Sequence, residues 1–140
     1  MSEIRVDKIS GKTSANAVTV TGENGSTQTS LQQGLCKAWV NFDGAVTTSA
    51  DDTTGERDSF NIGSLVDGGT GHTTINFTTG FENTGYAATN LVEYTIDGTL
   101  NAMIISIMSM SQTALEIKTH WNATVYDSDY VGISVHGDLT

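Results

Sequence analysis

Short segments in which apolar and polar residues alternate recur from residue 37 to the end of the sequence, and they predict a series of β-strands. Turn-forming Gly, Asp and Ser residues separate them roughly every ten residues. The alternating segments are residues 38–42, 60–65, 73–79, 86–96, 103–107, 115–121 and 131–135. About six or seven short strands in this pattern predict an all-β fold, an antiparallel β-sandwich of jelly-roll type.

One pair of strands is predicted in detail because a glycine-dense turn joins them. The turn, residues 67–71, reads DGGTG. After it, Ile75 and Phe77 lie two positions apart, so their side chains are expected on the same inward face. A Gly-Ser pair at residues 63–64 interrupts the alternation before the turn and predicts a β-bulge. This part of the chain is therefore predicted to form an antiparallel hairpin.

The N-terminal part of the chain differs from the rest because it contains no aromatic residue. All of the 2 Trp, 4 Tyr and 4 Phe residues lie at or beyond Trp39. Aromatic side chains supply much of the bulk of a small core, so the first part is not expected to fold alone. We predict an extended N-terminal arm, residues 1–36, for attachment and oligomerisation, and a β-sandwich domain, residues 37–140.

The predicted arm contains two short strand-like patterns. Ile4 and Val6 alternate with polar residues, and so do Val18 and Val20. A strand whose apolar face has no core of its own must bury that face against another molecule or another copy of the chain. These four residues are therefore candidates for a subunit interface.

A second candidate interface lies in residues 103–110, which contain three methionines together with Ile104, Ile105 and Ile107. Both faces of a strand in this segment would be apolar, which is more than a half-exposed strand requires. The segment is either a central strand of the sandwich or a strand whose second face packs on a neighbouring subunit. In the second case Ile104 and Met108 would be the contact residues.

The charge balance limits the partners of the chain. Six Lys and Arg residues stand against 16 Asp and Glu residues, a formal net charge of −10. Nucleic acids and anionic membranes both require a basic surface, so we predict no nucleic-acid partner. The longest apolar runs are far too short to cross a bilayer, and no membrane insertion is expected.

No combination of residues typical of catalysis or metal binding is present in the sequence. The 3 His residues stand far apart without a second ligand at metal spacing, and Cys36 has no activating neighbour. Residues 127–129, Asp-Ser-Asp, offer oxygen ligands for calcium but lack the glycine and glutamate of the known loop. A solvated turn is favoured there, although calcium binding by Asp127 and Asp129 is left open. We predict a protein that is not an enzyme and needs no cofactor.

Aromatic side chains near polar residues are candidates for stacking on sugars. They are Trp39, Trp121, Tyr126 and Tyr130. Apolar neighbours on both sides favour a core position for Trp39. Tyr126 and Tyr130 flank the polar turn at residues 127–129, and they are the candidate contacts to a receptor or glycan.

Several segments follow one another in a fixed order and spacing. They are IRVDKI (4–9), AVTV (17–20), KAWVNFDG (37–44), RDSFNI (57–62), DGGTG (67–71), TINFTT (74–79) and YVGISVHGD (130–138). Together they resemble segments of fibre-like virion structural proteins, of tail-fibre type, from marine tailed bacteriophages. The resemblance is most specific in residues 37–44 and 57–79.

The resemblance implies a structural role on the virion surface, commonly as a homotrimer, after assembly in the host cytoplasm. We hypothesise that the N-terminal arm contacts other virion proteins and that the outward-facing domain contacts a host surface glycan or other receptor. A capsid decoration or cement protein would place the same demands on the sequence. A carbohydrate-binding β-sandwich module outside any virus is a third interpretation.

Overall fold

The computed structural model describes residues 5–11, 18–21, 25, 28–45, 55–93, 95–96, 99–100 and 103–140. Its internal contacts divide the chain into an N-terminal unit, Met1–Leu35, and a sandwich unit, Cys36–Thr140. Of the predicted interface residues, Ile4 lies outside the described residues.

The N-terminal unit contains two short antiparallel strands, β1 (Thr19–Thr21) and β2 (Gln28–Ser30), and one helical turn, α1 (Leu31–Gly34). The Ser30 side chain caps this turn by accepting a hydrogen bond from the backbone N–H of Gln33 at 3.4 Å. None of the described side chains of this unit is buried. The described part of this unit therefore gains little stability from the hydrophobic effect.

The sandwich unit is built of short strands. In chain order they are β3 (Ala38–Phe42), β4 (Glu56–Phe60), β5 (Ile62–Asp67), β6 (His72–Phe77), β7 (Ala87–Glu93), β8 (Thr95–Ile96), β9 (Thr99–Leu100), β10 (Ile104–Met110), β11 (Ala114–Trp121), β12 (Thr124–Val125) and β13 (Tyr130–His136). One sheet has the order β4-β3-β13-β7 and the other has the order β10-β11-β6-β5, with β12 also paired to β11. Strands β8 and β9 pair with each other. All of these pairings are antiparallel.

The core lies between the two sheets and takes every second residue of their strands. Its buried members are Ala38, Val40, Phe42, Leu65, Ile75, Phe77, Phe81, Tyr86, Ile105, Leu115, Ile117, Val131, Ile133 and Val135. Three of the rings, those of Phe77, Phe81 and Tyr86, form a cluster with centroids 4.5–5.9 Å apart. The predicted all-β antiparallel sandwich is confirmed. The hairpin is confirmed as β5 and β6, with its register shift between Ile62 and Ser64.

The structure contradicts one interpretation of residues 103–110. Strand β10 pairs with β11 on one side, and no strand in the described part of the chain pairs with its other side. It is therefore an edge strand and not a central one. A register shift between Ile107 and Ser109 also breaks the inward alternation, which leaves Ile107 43% exposed.

The expected core position of Trp39 is also wrong. Its neighbours Ala38 and Val40 face the core, so the alternation of the strand turns Trp39 to the outer face, where it is half-buried. Phe60 lies opposite Trp39 in the neighbouring strand and is 52% exposed. Between Phe60 and Ile62 the chain passes from one sheet to the other at Asn61, whose φ of 59° is in the left-handed region.

Candidate functional site

The outer face of the sheet β4-β3-β13-β7 carries two rows of side chains that cross all four strands. One row runs from Phe60 through Trp39 and Ser134 to Thr89, and the other from Asp58 through Asn41 and Gly132 to Leu91. Residues in one row of an antiparallel sheet point to the same side. Both rows point away from the core, because the residues between them in β3 and β13 are buried.

A groove of about 380 Å³ crosses this face. Its lining residues are Trp39, Val40, Asn41, Thr89, Asn90, Leu91, Gly132, Ile133 and Ser134. Gly132 is one of the lining residues and forms part of the floor. A Cβ atom added there would lie 3.6 Å from the Cβ of Leu91. That distance is an ordinary van der Waals contact, so the absence of a side chain at Gly132 leaves space that a larger residue would fill.

The groove combines apolar and polar lining groups. Trp39 and Leu91 are its apolar side chains on the outer face, and Leu91 is 74% exposed. The hydroxyls of Thr89 and Ser134 are hydrogen-bonded to each other at 2.6 Å. Asn41 accepts a hydrogen bond from the guanidinium of Arg57 through its Oδ1 at 3.5 Å. The lining contains no ionisable side chain, so it can offer dispersion contacts and neutral hydrogen bonds.

Tyr130 begins β13 on the same outer face and is 49% exposed. The guanidinium carbon of Arg57 lies 4.2 Å from the centroid of its ring, a cation–π contact. The same guanidinium forms an ion pair with Asp43, with Nη2 3.1 Å from Oδ2. One face of the Tyr130 ring is thus covered, which fixes the ring and reduces the area free for stacking.

Tyr126 lies beside the other sheet. Its backbone N–H donates to the carbonyl of Thr119 at 3.2 Å, and the Thr119 hydroxyl donates to the carbonyl of Tyr126. Thr119 belongs to β11, whereas Tyr130 belongs to β13 of the first sheet. The role of both tyrosines in glycan contact stays a prediction.

The turn between these tyrosines is tied into the fold more tightly than a solvated turn would be. Asp127 accepts a hydrogen bond from the backbone N–H of Gly71 through Oδ1 at 2.6 Å. Ser128 is fully buried, and its hydroxyl donates to the carbonyl oxygen of Glu93. The part of the chain that the structure describes contains no group of three or more His, Cys, Asp or Glu residues able to hold a metal ion.

The other predicted interface residues lie at the surface. Val6 and Val20 of the N-terminal unit are 58% and 55% exposed, and Val18 is half-buried. On the edge strand β10, Ile104 and Met108 are 55% and 52% exposed. Their assignment to an interface stays a prediction.

The outer face of the second sheet carries a series of polar pairs. Ser106 and His120 lie 2.7 Å apart, and Asn76 donates to Ser64 at 3.0 Å. Glu116 accepts from Ser109 through Oε2 at 2.7 Å, and its Oε1 lies 2.6 Å from Nε2 of His72. The hydrogen bonds from Ser109 and then from His72 lower the pKa of Glu116.

The group formed by Ser109, Glu116 and His72 is not a catalytic triad. In a nucleophilic triad the imidazole lies between the hydroxyl and the carboxylate, because it must accept the hydroxyl proton. Here the carboxylate of Glu116 lies between the hydroxyl and the imidazole. His72 makes its contact with the carboxylate and is not in place to activate Ser109.

Comparison of the chain with protein-family models, with curated proteins and with solved structures gives no match. Among the described residues, no helix combines the length and apolar character that a bilayer-spanning segment needs. The site is therefore interpreted from its own geometry.

Sequence reasoning missed the groove, although two signals for it are present. In the segment 86–96 the apolar residues Tyr86, Ala88 and Val92 occupy even positions, and a core on that side places Leu91 on the outer face. Trp39 likewise alternates with the apolar residues Ala38 and Val40. Strands β3, β13 and β7 lie side by side, and this places Gly132 between Asn41 and Leu91. These pairings join distant parts of the chain, so local patterns in the sequence do not indicate them.

Proposed function

We propose that the chain is a structural protein of a tailed-bacteriophage virion, a homotrimeric tail fibre or fibre-like surface appendage. In this proposal the N-terminal part attaches the protein to its assembly, and the sandwich unit faces outward. The sequence segments that resemble fibre-like virion proteins support this function. The acidic sandwich, whose outer faces carry polar rows, is suited to remain hydrated in such a position.

One observation carries the proposal. The N-terminal unit has paired strands and a capped helical turn, yet none of its described side chains is buried. An isolated two-stranded hairpin is marginal in water, and Val20 of this hairpin is 55% exposed, so a partner surface that covers it would stabilise the unit. A closed cyclic assembly supplies such a surface and ends at a fixed number of copies.

The edge strand β10 is a second candidate contact. It exposes Ile104 and Met108 beside an unpaired strand edge, as far as the described residues show. Exposed apolar edge strands promote association unless they are covered. A contact here would join sandwich units to one another, whereas a contact through the N-terminal unit would join the arms.

The proposal is tested with phage particles assembled in the presence of either the full chain or a truncated chain comprising residues 36–140. The sandwich unit retains all of the buried core residues, so we expect the truncated protein to be soluble and rich in β-structure. We also expect it to be absent from purified particles. Normal incorporation of the truncated protein would contradict the division of roles.

Counting copies per particle separates the proposed appendage from a capsid decoration protein. A fibre at the tail is present in few copies, whereas a decoration protein covers the shell and is present in many. Quantitative mass spectrometry of purified particles, with the major capsid protein as internal standard, gives this number. A copy number comparable with that of the capsid protein would overturn the tail assignment.

A further inference from the structure

We propose that the groove on the outer face of the sheet β4-β3-β13-β7 is a binding site for a neutral carbohydrate, in which the indole of Trp39 stacks on a sugar ring. This groove lies on the first sheet, whereas Tyr126 is hydrogen-bonded to Thr119 of the second sheet. The inference concerns the sandwich unit and does not depend on how the chain assembles. Its failure would leave the proposed structural role standing.

The lining matches the two-sided chemistry of a sugar ring. One side of a pyranose presents C–H groups, and the negatively charged face of an aromatic ring attracts such groups. The sugar hydroxyls need neutral donors and acceptors, which Asn41, Thr89 and Ser134 supply around Trp39. The Thr89–Ser134 and Arg57–Asn41 hydrogen bonds do not use all of the donors and lone pairs of these three side chains. A hydrocarbon chain would desolvate the remaining ones without pairing them, so the lining favours a sugar over a lipid.

Charge complementarity narrows the ligand to a neutral one. The groove has no ionisable lining residue, and the carboxylates of Asp58 and Glu93 lie on the same outer face at its margins. Arg57, whose guanidinium contacts Asn41 of the groove, is already paired with Asp43 at 3.1 Å. Together with the net charge of −10, this arrangement repels sialylated or sulfated sugars.

The size of the groove is adequate for a short saccharide. Its volume of about 380 Å³ lies near the lower end of the range of about 300–1,000 Å³ that small-molecule sites occupy. The groove is also open, so a saccharide could extend along the sheet toward Phe60, which lies beside Trp39 in the same row. We expect weak binding per site, since a shallow groove leaves much of the ligand hydrated.

Fluorescence of the full chain can isolate Trp39, because the chain has only 2 Trp residues. In the Trp121→Phe variant all tryptophan emission comes from Trp39, and in the Trp39→Phe variant all of it comes from Trp121. We expect a saturable change in emission from the first variant with neutral saccharides such as lactose or N-acetylglucosamine oligomers. The second variant should show none. A glycan array probed with the full chain selects the best saccharide for the titration.

Gly132→Thr in the Trp121→Phe background tests the groove itself. The added side chain fills the floor beside Leu91 without removing any lining group, and a β-branched residue suits a strand. We expect a loss of affinity of about tenfold or more, which corresponds to about 1.4 kcal/mol. Gly63→Thr is the matched control, because Gly63 is an exposed residue of the other sheet and a Cβ atom added there makes only ordinary contacts of 3.6–3.7 Å. It should bind like the parent.

Lactose and 3′-sialyllactose form a pair of probes that differ in one anionic sugar, and we expect the sialylated one to bind more weakly. Four outcomes would overturn the proposal. They are no emission change on the folded protein with any neutral saccharide, an affinity unchanged by Gly132→Thr, tighter binding of the sialylated probe, or a change in Trp39 emission with protein concentration alone. The last outcome would assign the groove to a second copy of the chain.

Discussion

Asn61 is expected to hold the crossing between the two sheets, and its replacement tests this directly. The residue has a φ of 59°. Its Oδ1 accepts from the backbone N–H of Thr79 at 2.7 Å. Its Nδ2 donates to the carbonyl oxygens of Lys37 at 3.1 Å and Thr79 at 3.0 Å. One side chain therefore links the start of β3 to the chain that follows β6. Asn61→Gly removes these bonds and keeps the backbone conformation accessible.

The size of the effect follows from these contacts. A hydrogen bond contributes about 0.5–1.5 kcal/mol net to stability, and water can replace part of the bonding at half-buried Asn61. We therefore expect Asn61→Gly to lower the free energy of unfolding by about 2 kcal/mol. Asn61→Ala should cost about 1 kcal/mol more, since a left-handed conformation is strained for a residue with a Cβ atom.

Denaturation of the full chain in guanidinium chloride, followed by circular dichroism, measures these changes at constant m-value. Asn83→Gly is the matched control, because the Asn83 side chain accepts a bond from Gly85 in an exposed turn, at 2.7 Å. We expect stability to fall in the order Asn83→Gly, Asn61→Gly, Asn61→Ala. Two results would contradict this expectation: Asn61→Gly no less stable than the control, or Asn61→Ala more stable than Asn61→Gly.

Three further expectations concern the sandwich unit. Gly71→Ala should cost about 2–3 kcal/mol, because the φ is 66° and a Cβ atom would lie 2.6 Å from the carbonyl oxygen of Thr119; denaturation measures the loss. Burial raises the pKa of Tyr86 above 10.0. The contribution of its neutral phenol to stability is therefore present below that pH and is lost as the pH rises through the folded-state pKa. Tyr86→Phe should lack this alkaline loss in a pH series of thermal unfolding midpoints. The hydrogen bond from Ser109 lowers the pKa of Glu116 below 4.5. The contribution of the Glu116 carboxylate to stability is therefore present above that pH and is lost as the pH falls through the folded-state pKa. Glu116→Gln should remove this loss at acid pH in the same series.

Controls separate these effects from general damage. Gly69 also has a positive φ, 102°, but an added Cβ would meet nothing within 4 Å, so Gly69→Ala should cost less than Gly71→Ala. Equal costs would show that the close approach is unimportant. An alkaline loss that persists in Tyr86→Phe would assign it to another group. If Glu116→Gln loses stability at acid pH as the parent does, that loss belongs to a group other than the Glu116 carboxylate.

The sequence predicts the fold class because local alternation decides which residues reach the core. Val131, Ile133 and Val135 alternate with Gly and Ser, and all three are buried. The hairpin follows for the same reason, because its turn and both strands are adjacent in the chain. These features need no knowledge of distant pairings.

The candidate site could not be predicted in the same way. Its walls, Trp39 and Leu91, stand on strands that are distant in the sequence and meet only through β13. The exposure of Ile107 depends on a bulge that the run of Ile and Met does not signal. The exposure of Phe60 depends on the left-handed conformation of Asn61, which separates Phe60 from Ile62 into different sheets.

The proposed function requires that the chain associates with copies of itself. The most direct measurement is the molar mass of the full chain by light scattering over a range of concentrations. Val20 is exposed, and none of the described residues of its unit is buried. For the proposed homotrimer we expect a mass three times that of the chain. We also expect dissociation in Val20→Asp and no change in the control Thr21→Asp, which adds the same charge one position along the strand. A full chain that stays monomeric at every concentration would contradict it.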